Sequence, residues 1–331
     1  MRPELQGLCK NFITNRDIIK ATLKWESDYL YPVGSSIITN RGLRADGERL
    51  KRCKDIIKEN TGAFSAFRSN ARLAVIATMS MEANPERRFE KATKLYDCLR
   101  KKFAASEYLA LGAMIVSDMI EESEYEKVVD SARNIYDRIK KEHPFLTSSE
   151  DSMYALLLAL STKGEEEIVA EVETCFGILK KEFSMRNAVQ SLAFVLAYDE
   201  RNAKEKCQAT VALYNELKEK GYRYGTGYEL ATLGVLALLP QERDVIIEEL
   251  IEIDSFLKEQ KGYGFFGADR KQRLMHAGMI LTGEYLKDDY VMQGAVAHSA
   301  IALMIAAQTA TCAAIAASTA AASAAASGAT T

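Results

Sequence analysis

Apolar and polar positions along this chain follow two superimposed periods. Within segments of about ten to twenty residues, apolar side chains recur every three or four positions, the spacing that lines one face of an α-helix. The segments themselves recur about every 40 residues. An aromatic, an apolar residue three or four later and a cluster of lysines appear in KLYDCLRKKF (94–103), NIYDRIKKEH (134–143), TCFGILKKEF (174–183) and ALYNELKEKG (212–221). The aromatics Tyr96, Tyr136, Phe176 and Tyr214 are 40, 40 and 38 residues apart, Phe256 follows after 42, and Ile57 and Ile18 hold the equivalent places, each 39 residues earlier.

Each such segment is followed by a second one that is apolar nearly all round and carries a small residue at its middle: Gly34, Ala74, Gly112, Ala193, Gly234 and Gly278. The fourth unit has Ala155-Leu156-Leu157-Leu158 there and lacks the small residue. A fixed period with two helical segments per repeat is the pattern of stacked helical hairpins. It predicts an all-α chain of about seven tandem hairpins, with residues 1–290 as the repeat domain and 291–331 as an Ala-rich C-terminal helix and tail. The charged first helices form an outer layer and the apolar second helices an inner one. A small residue at an inner-helix crossing lets neighbouring backbones approach closely. Pro85 and Pro240 fall in connections between units and Pro144 between the helices of its own unit, all places where a helix has to stop. The hairpins can stack as an open α-solenoid or curl into an α/α toroid, and periodicity does not distinguish the two.

Composition narrows the class. Only 19 Gly and 5 Pro in 331 residues argue against a loop-rich or disordered chain. A net charge of −3 lacks the basic excess that drives phosphate-backbone binding, which argues against a nucleic-acid partner. The charge is unevenly spread, with 16 Lys/Arg against 8 Asp/Glu over residues 41–102 and 15 acids against 6 bases over 118–173. The six cysteines form no CxxC pair, and the three histidines have no partner at metal-ligand spacing, so no metal and no cofactor is expected. Scattered thiols in apolar helices, with no apolar leader at the N-terminus, are the expectation for a cytoplasmic protein.

Candidate chemistry collects where the inner helices begin. Arg68, Asn70, Arg72, Glu107, Glu150, Asp151, Arg186, Asn187, Gln190, Tyr228, Glu229, Arg273 and His276 all lie at such starts, so superposed repeats would bring them to one edge of the inner layer. Helix capping and links between units account for part of this set. Two connections mix glycine with aromatics, Gly221-Tyr-Arg-Tyr-Gly-Thr-Gly-Tyr228 and Gly262-Tyr-Gly-Phe-Phe-Gly267. Glycine permits positive φ, and flat rings offer stacking surfaces for a sugar, base or peptide. Neither loop is a phosphate-binding fingerprint, since no strand precedes it. The binding candidates are therefore Tyr222, Tyr224, Tyr228, Glu229, Tyr263, Phe265, Arg273, His276, Arg186, Asn187 and Arg68. No local motif assigns a catalytic residue. Glu229 with His276 is the acid/base candidate, with Glu107, Glu150 or Asp151 as a second carboxylate across a closed ring.

No charged residue follows Asp289, and from Gly294 the chain is dominated by alanine with Ser and Thr. Its large apolar residues are confined to 301–315, which favours a packed or self-associating helix, with a homo-oligomer through the tail possible, over membrane contact.

The stretch GYELATLGVLALL (227–239), the RLMHAGM run (273–279) and the Ala/Ser-rich ending together resemble a bacterial family of uncharacterised all-helical proteins, domain of unknown function four thousand and three. The resemblance implies a cytoplasmic, all-helical protein and carries over no catalytic residue. From the residues themselves, the leading expectation is a helical-repeat binding or scaffold protein that holds a protein or peptide partner on its inner-helix surface. The alternatives are an α/α-toroid enzyme acting on a carbohydrate or other polar small molecule, and a membrane-peripheral protein anchored by its tail.

Overall fold

The computed structural model describes residues 1–24, 26–227, 229–263, 268–286, 312–315 and 318. Two of the candidates, Tyr228 and Phe265, and most of the tail lie outside the described residues. The described chain is helical without strands. Its α-helices, in order, are α1 (Pro3–Thr22), α2 (Leu30–Thr39), α3 (Gly47–Asn60), α4 (Arg72–Ser80), α5 (Pro85–Arg100), α6 (Glu107–Val116) and α7 (Tyr125–Glu142). There follow α8 (Asp151–Leu158), α9 (Glu165–Leu179), α10 (Arg186–Ala197), α11 (Ala203–Glu219), α12 (Glu229–Leu238), α13 (Arg243–Lys258) and α14 (Arg270–Tyr285).

The helices start where their sequences supply caps. Asp46, Asn84 and Asn202 accept backbone N–H bonds of 2.9, 2.9 and 3.0 Å at the starts of α3, α5 and α11. Ser106 does the same for α6 at 3.0 Å, and Asp269 with Gln272 forms a capping box on α14. Pro85 belongs to α5 as its first residue, not to the connection before it, because the missing N–H is no loss in a first helical turn.

Odd- and even-numbered helices differ in burial as their patterns predict. In α7 the buried residues Tyr125, Val129, Ala132, Ile135 and Ile139 form one stripe, whereas α10 is buried at every position from Ala188 to Ala197. Each odd helix packs on the even helix that follows it, and neighbouring even helices pack on one another, as do neighbouring odd helices. α14 also packs on α2 and α1, and α1 on α13, so the last pair of helices meets the first. Polar bonds reinforce that junction. Arg2 donates to Glu249 and Glu284, both at 2.7 Å, and Asn40 Nδ2 donates to the carbonyl of Met279 at 3.2 Å.

The inner-helix glycines sit at the crossings. A Cβ on Gly234 of α12 would lie 2.5 Å from Leu192 Cδ1 of α10, and one on Gly112 of α6 would lie 3.2 Å from Leu156 Cδ2 of α8. Gly34 likewise faces Leu73, and Gly278 faces Leu236. Only hydrogen leaves these helix pairs their close approach. The α8–α10 seam is the exception, since neither helix contains a glycine. There the rings of Tyr154 and Phe194 face each other with centroids 5.1 Å apart.

Of the tail, Cys312–Ile315 is helical and buried, and Ser318 is buried. Cys312 lies near enough to Tyr154 of α8 to act on its hydroxyl. Among the described residues no helix is long and apolar enough to cross a membrane.

Candidate functional site

Much of the polar set at the inner-helix starts is used to tie the fold together. Arg68 Nη2 donates to the Thr61 carbonyl at 2.6 Å and its Nε to Thr61 Oγ1 at 3.0 Å, closing the end of α3. Arg186 does the equivalent for α9, donating to the Lys180 carbonyl at 2.7 Å. Carbonyls at a helix C-terminus lack intrahelical donors, and a guanidinium satisfies them. Glu107 accepts from the Asn70 N–H at 2.9 Å, linking α6 to the segment before α4, and Arg72 pairs with Glu26. Asn187 is exposed at the start of α10.

The two glycine–aromatic connections are built tightly. Gly221 and Gly262 adopt φ of +83° and +91°, in the left-handed region where glycine carries no Cβ penalty. Tyr222 N–H bonds back to the Leu217 carbonyl at 2.7 Å, a Schellman closure of α11. The ring of Tyr222 lies under the Arg270 guanidinium, 5.1 Å from centroid to Cζ. Tyr224 is buried, and its hydroxyl meets Thr232 Oγ1 at 2.6 Å. Glu229 folds its carboxylate back over the loop: a Cβ on Gly225 would lie 2.5 Å from Oε2, and one on Gly227 2.8 Å.

The seventh pair of helices gathers Tyr263, Arg273 and His276, but around structural partners. Arg273 of α14 forms a two-pronged ion pair with Asp254 of α13, Nε–Oδ1 2.8 Å and Nη2–Oδ2 3.1 Å. His276 is buried, with Nδ1 3.0 Å from the Tyr263 hydroxyl, and the Arg16 guanidinium lies over the Tyr263 ring. Burial, then the charge of Arg16, pushes His276 down to about 3, so it is neutral at ordinary pH. Its hydrogen bond is to Tyr263, and among the described residues no hydrogen bond or ion pair links it to Glu229.

A different group has the properties of a site. Glu150 and Asp151 stand at the start of α8, where the chain enters from the connection carrying Pro144. Asp151 is structurally committed: Oδ2 accepts the Ser148 N–H at 2.6 Å and Oδ1 accepts Gln190 Nε2 of α10 at 3.0 Å. Glu150 is half-buried, and its carboxylate forms no hydrogen bond or ion pair among the described residues. Burial, then the negative charge of Asp151, pushes Glu150 up to about 7. Burial also pushes Asp151 up to about 6, against the hydrogen bonds from Ser148 and Gln190 that hold it down. Gln190 is only 2% exposed, and its Oε1 has no hydrogen-bond partner among the described residues. One turn along α8 from Glu150, the fully buried Tyr154 hydroxyl approaches Ser191 without reaching hydrogen-bond geometry. A buried polar atom without a partner costs about 1–3 kcal/mol, so two of them where α8 and α10 begin mark a place where a ligand could satisfy the protein.

Glu150, Asp151 and Gln190 were visible in sequence as polar residues at inner-helix starts. Tyr154 was missed. Its signal was a hydroxyl in the middle of an otherwise apolar inner segment, in the one unit lacking the small residue. Among the described residues no three His, Cys, Asp or Glu side chains could together hold a metal ion.

These observations define an all-helical protein of paired helices, with an acceptor-rich polar cluster set between two inner helices. The chain belongs to the DUF4003 family, described as a protein of unknown function, whose model matches residues 15–310. It is similar to the uncharacterized protein YeaA of Bacillus subtilis (strain 168), 23% identical over 316 residues and covering 93% of each chain. No solved structure matches the chain significantly.

Proposed function

We propose that the chain is an α/α toroid of seven helix pairs that binds a small polar molecule where α8 and α10 begin. Glu150 is then the group placed for acid–base work on that molecule. The packing of α14 on α1 and α2 supports a closed ring over an open solenoid. A closed molecule of this length has a radius of gyration of about 20 Å, and small-angle scattering giving a value larger by about a quarter would refute the ring.

A peptide groove on the inner layer would require exposed side chains there. Asp151–Leu158 of α8, Ala188–Ala197 of α10 and Arg273–Tyr285 of α14 are buried throughout, which favours a small ligand over a scaffold role. The observation that carries the site is the pair of buried unpartnered atoms where α8 and α10 begin, Gln190 Oε1, whose amide is bonded to Asp151, and Tyr154 Oη, on which the charge of Glu150 acts. A protonated carboxyl titrating near neutrality can donate or accept a proton at ordinary pH, the property general acid–base catalysis needs. The test is a thermal-shift screen of the full chain against small polar molecules, charged and uncharged. A hit that raises Tm in the parent and not in Gln190→Leu or Tyr154→Phe supports the site. A hit unaffected by both substitutions places binding elsewhere and overturns it.

A further inference from the structure

The chemistry of the cluster selects a ligand class. Its free groups are acceptors: both oxygens of Glu150 and the amide oxygen of Gln190, with Tyr154 Oη able to accept as well. The charge that bears on Glu150 is that of Asp151, and no Lys or Arg among the described residues pairs with either carboxylate. A half-buried carboxylate next to a buried one, without a protein cation, is complementary to a cation supplied from outside. A divalent metal fits poorly, because Asp151 already spends both oxygens on Ser148 and Gln190, and hard cations take about six or more oxygen ligands. A primary ammonium has three N–H donors, which match a carboxylate oxygen, an amide oxygen and a phenol oxygen. The alkyl chain behind it would meet the apolar side of the cluster, where Phe194 stacks on Tyr154.

We propose that the cluster of Glu150, Gln190 and Tyr154 at the start of α8 and α10 binds the primary ammonium group of a small aliphatic amine. This rests on the small-ligand reading of the same site and narrows it to one chemical class. Glu150 supplies the charge, Gln190 Oε1 and Tyr154 Oη the remaining acceptors, and Asp151 holds Gln190 in position through its bond to Nε2.

The test uses the full chain at pH 8 and isothermal titration with 1,4-diaminobutane, against its uncharged counterpart 1,4-butanediol, glucose and magnesium chloride. The expected result is binding of the diamine and not of the diol, weakened on the order of 10-fold to 100-fold in Glu150→Gln, since a hydrogen bond to a charged group contributes about 1.5–3 kcal/mol. Gln190→Leu, which leaves the carboxylate in place, should weaken binding less, and circular dichroism confirms that each variant is folded. Binding of diamine and diol alike overturns the ammonium assignment. So does a magnesium response lost in Glu150→Gln. Glucose binding that is lost in Gln190→Leu, without diamine binding, overturns the inference while leaving the small-ligand site standing. Binding of none of the four overturns the inference, and a parallel failure of the thermal-shift screen overturns the site as well.

Discussion

Replacing Asp254 by alanine destabilises the protein by about 3–5 kcal/mol, the usual cost of removing one partner from a buried ion pair. Arg273 and Asp254 are both buried, and the guanidinium presents two parallel N–H groups to the carboxylate across α13 and α14. Without Asp254 the Arg273 charge remains enclosed with no counterion. For a chain of 331 residues the loss lowers Tm by about 4–7 °C, read by differential scanning calorimetry. The paired change Asp254→Leu with Arg273→Met removes both charges and recovers most of the loss, because two apolar residues of similar size need no desolvated partner. If Asp254→Ala leaves Tm within a degree or two of the parent, the pair is not enclosed in solution as it is in the structure.

The second large effect is a pair of opposing pH dependences. His276 lies at about 3 in the folded chain against an ordinary value of 6.5, so below about pH 6.5 the unfolded chain takes up a proton that the folded one refuses. Its contribution is full above pH 6.5 and is lost as pH falls toward 3, by up to about 1.4 kcal/mol per pH unit. Glu150 and Asp151 act in the other sense. Their folded values of about 7 and about 6 lie above the ordinary 4.5 and 3.8, so the folded chain holds protons the unfolded one has released. Their contribution is present at acid pH and is lost as pH rises to 7.

Urea unfolding at pH 5, 6, 7 and 8 separates the two. His276→Gln, which can still accept from the Tyr263 hydroxyl, gains on the parent by about 2 kcal/mol on going from pH 7 to pH 5. Glu150→Gln is more stable than the parent at pH 8 by about 1–2 kcal/mol, and the difference shrinks to a few tenths, roughly a quarter of that, at pH 5, to vanish only below the ordinary 4.5. Parallel stability curves for parent and His276→Gln would show that His276 is not buried neutral. A Glu150→Gln variant that is no more stable than the parent at pH 8 would show that the carboxylate is solvated and the cluster open to water.

The helices were legible in the pattern. The spacing of Tyr96, Tyr136, Phe176 and Tyr214 marks four outer helices, and the inner-helix glycines meet neighbouring helices as small residues at crossings should. The positive φ of Gly221 and Gly262 also follows from where they stand, just past a helix end. The site residues were less legible. Arg68, Arg186, Arg273 and His276 read as candidate ligand groups because polar residues at recurrent places look alike in sequence. What separates them is whether a partner already stands against them. Arg68 has the end of its own preceding helix, Arg273 has Asp254 from the adjacent helix, and His276 has Tyr263. Glu150 has none among the described residues.

The alternation of residue types therefore determined by itself that the chain is helical, which face of each helix is buried and where each helix stops. Those depend on neighbours within a few residues along the chain, through the turn of the helix and the caps at its ends. Only the tertiary structure decided that α14 meets α1 and α2, that Asp254 neutralises Arg273, and that Gln190 reaches Asp151 from a position 39 residues away. Such pairings depend on the rotation between successive helix pairs. A few degrees at each crossing decide whether the last pair reaches the first, and that angle is set by side-chain packing summed over the whole chain rather than by any one segment.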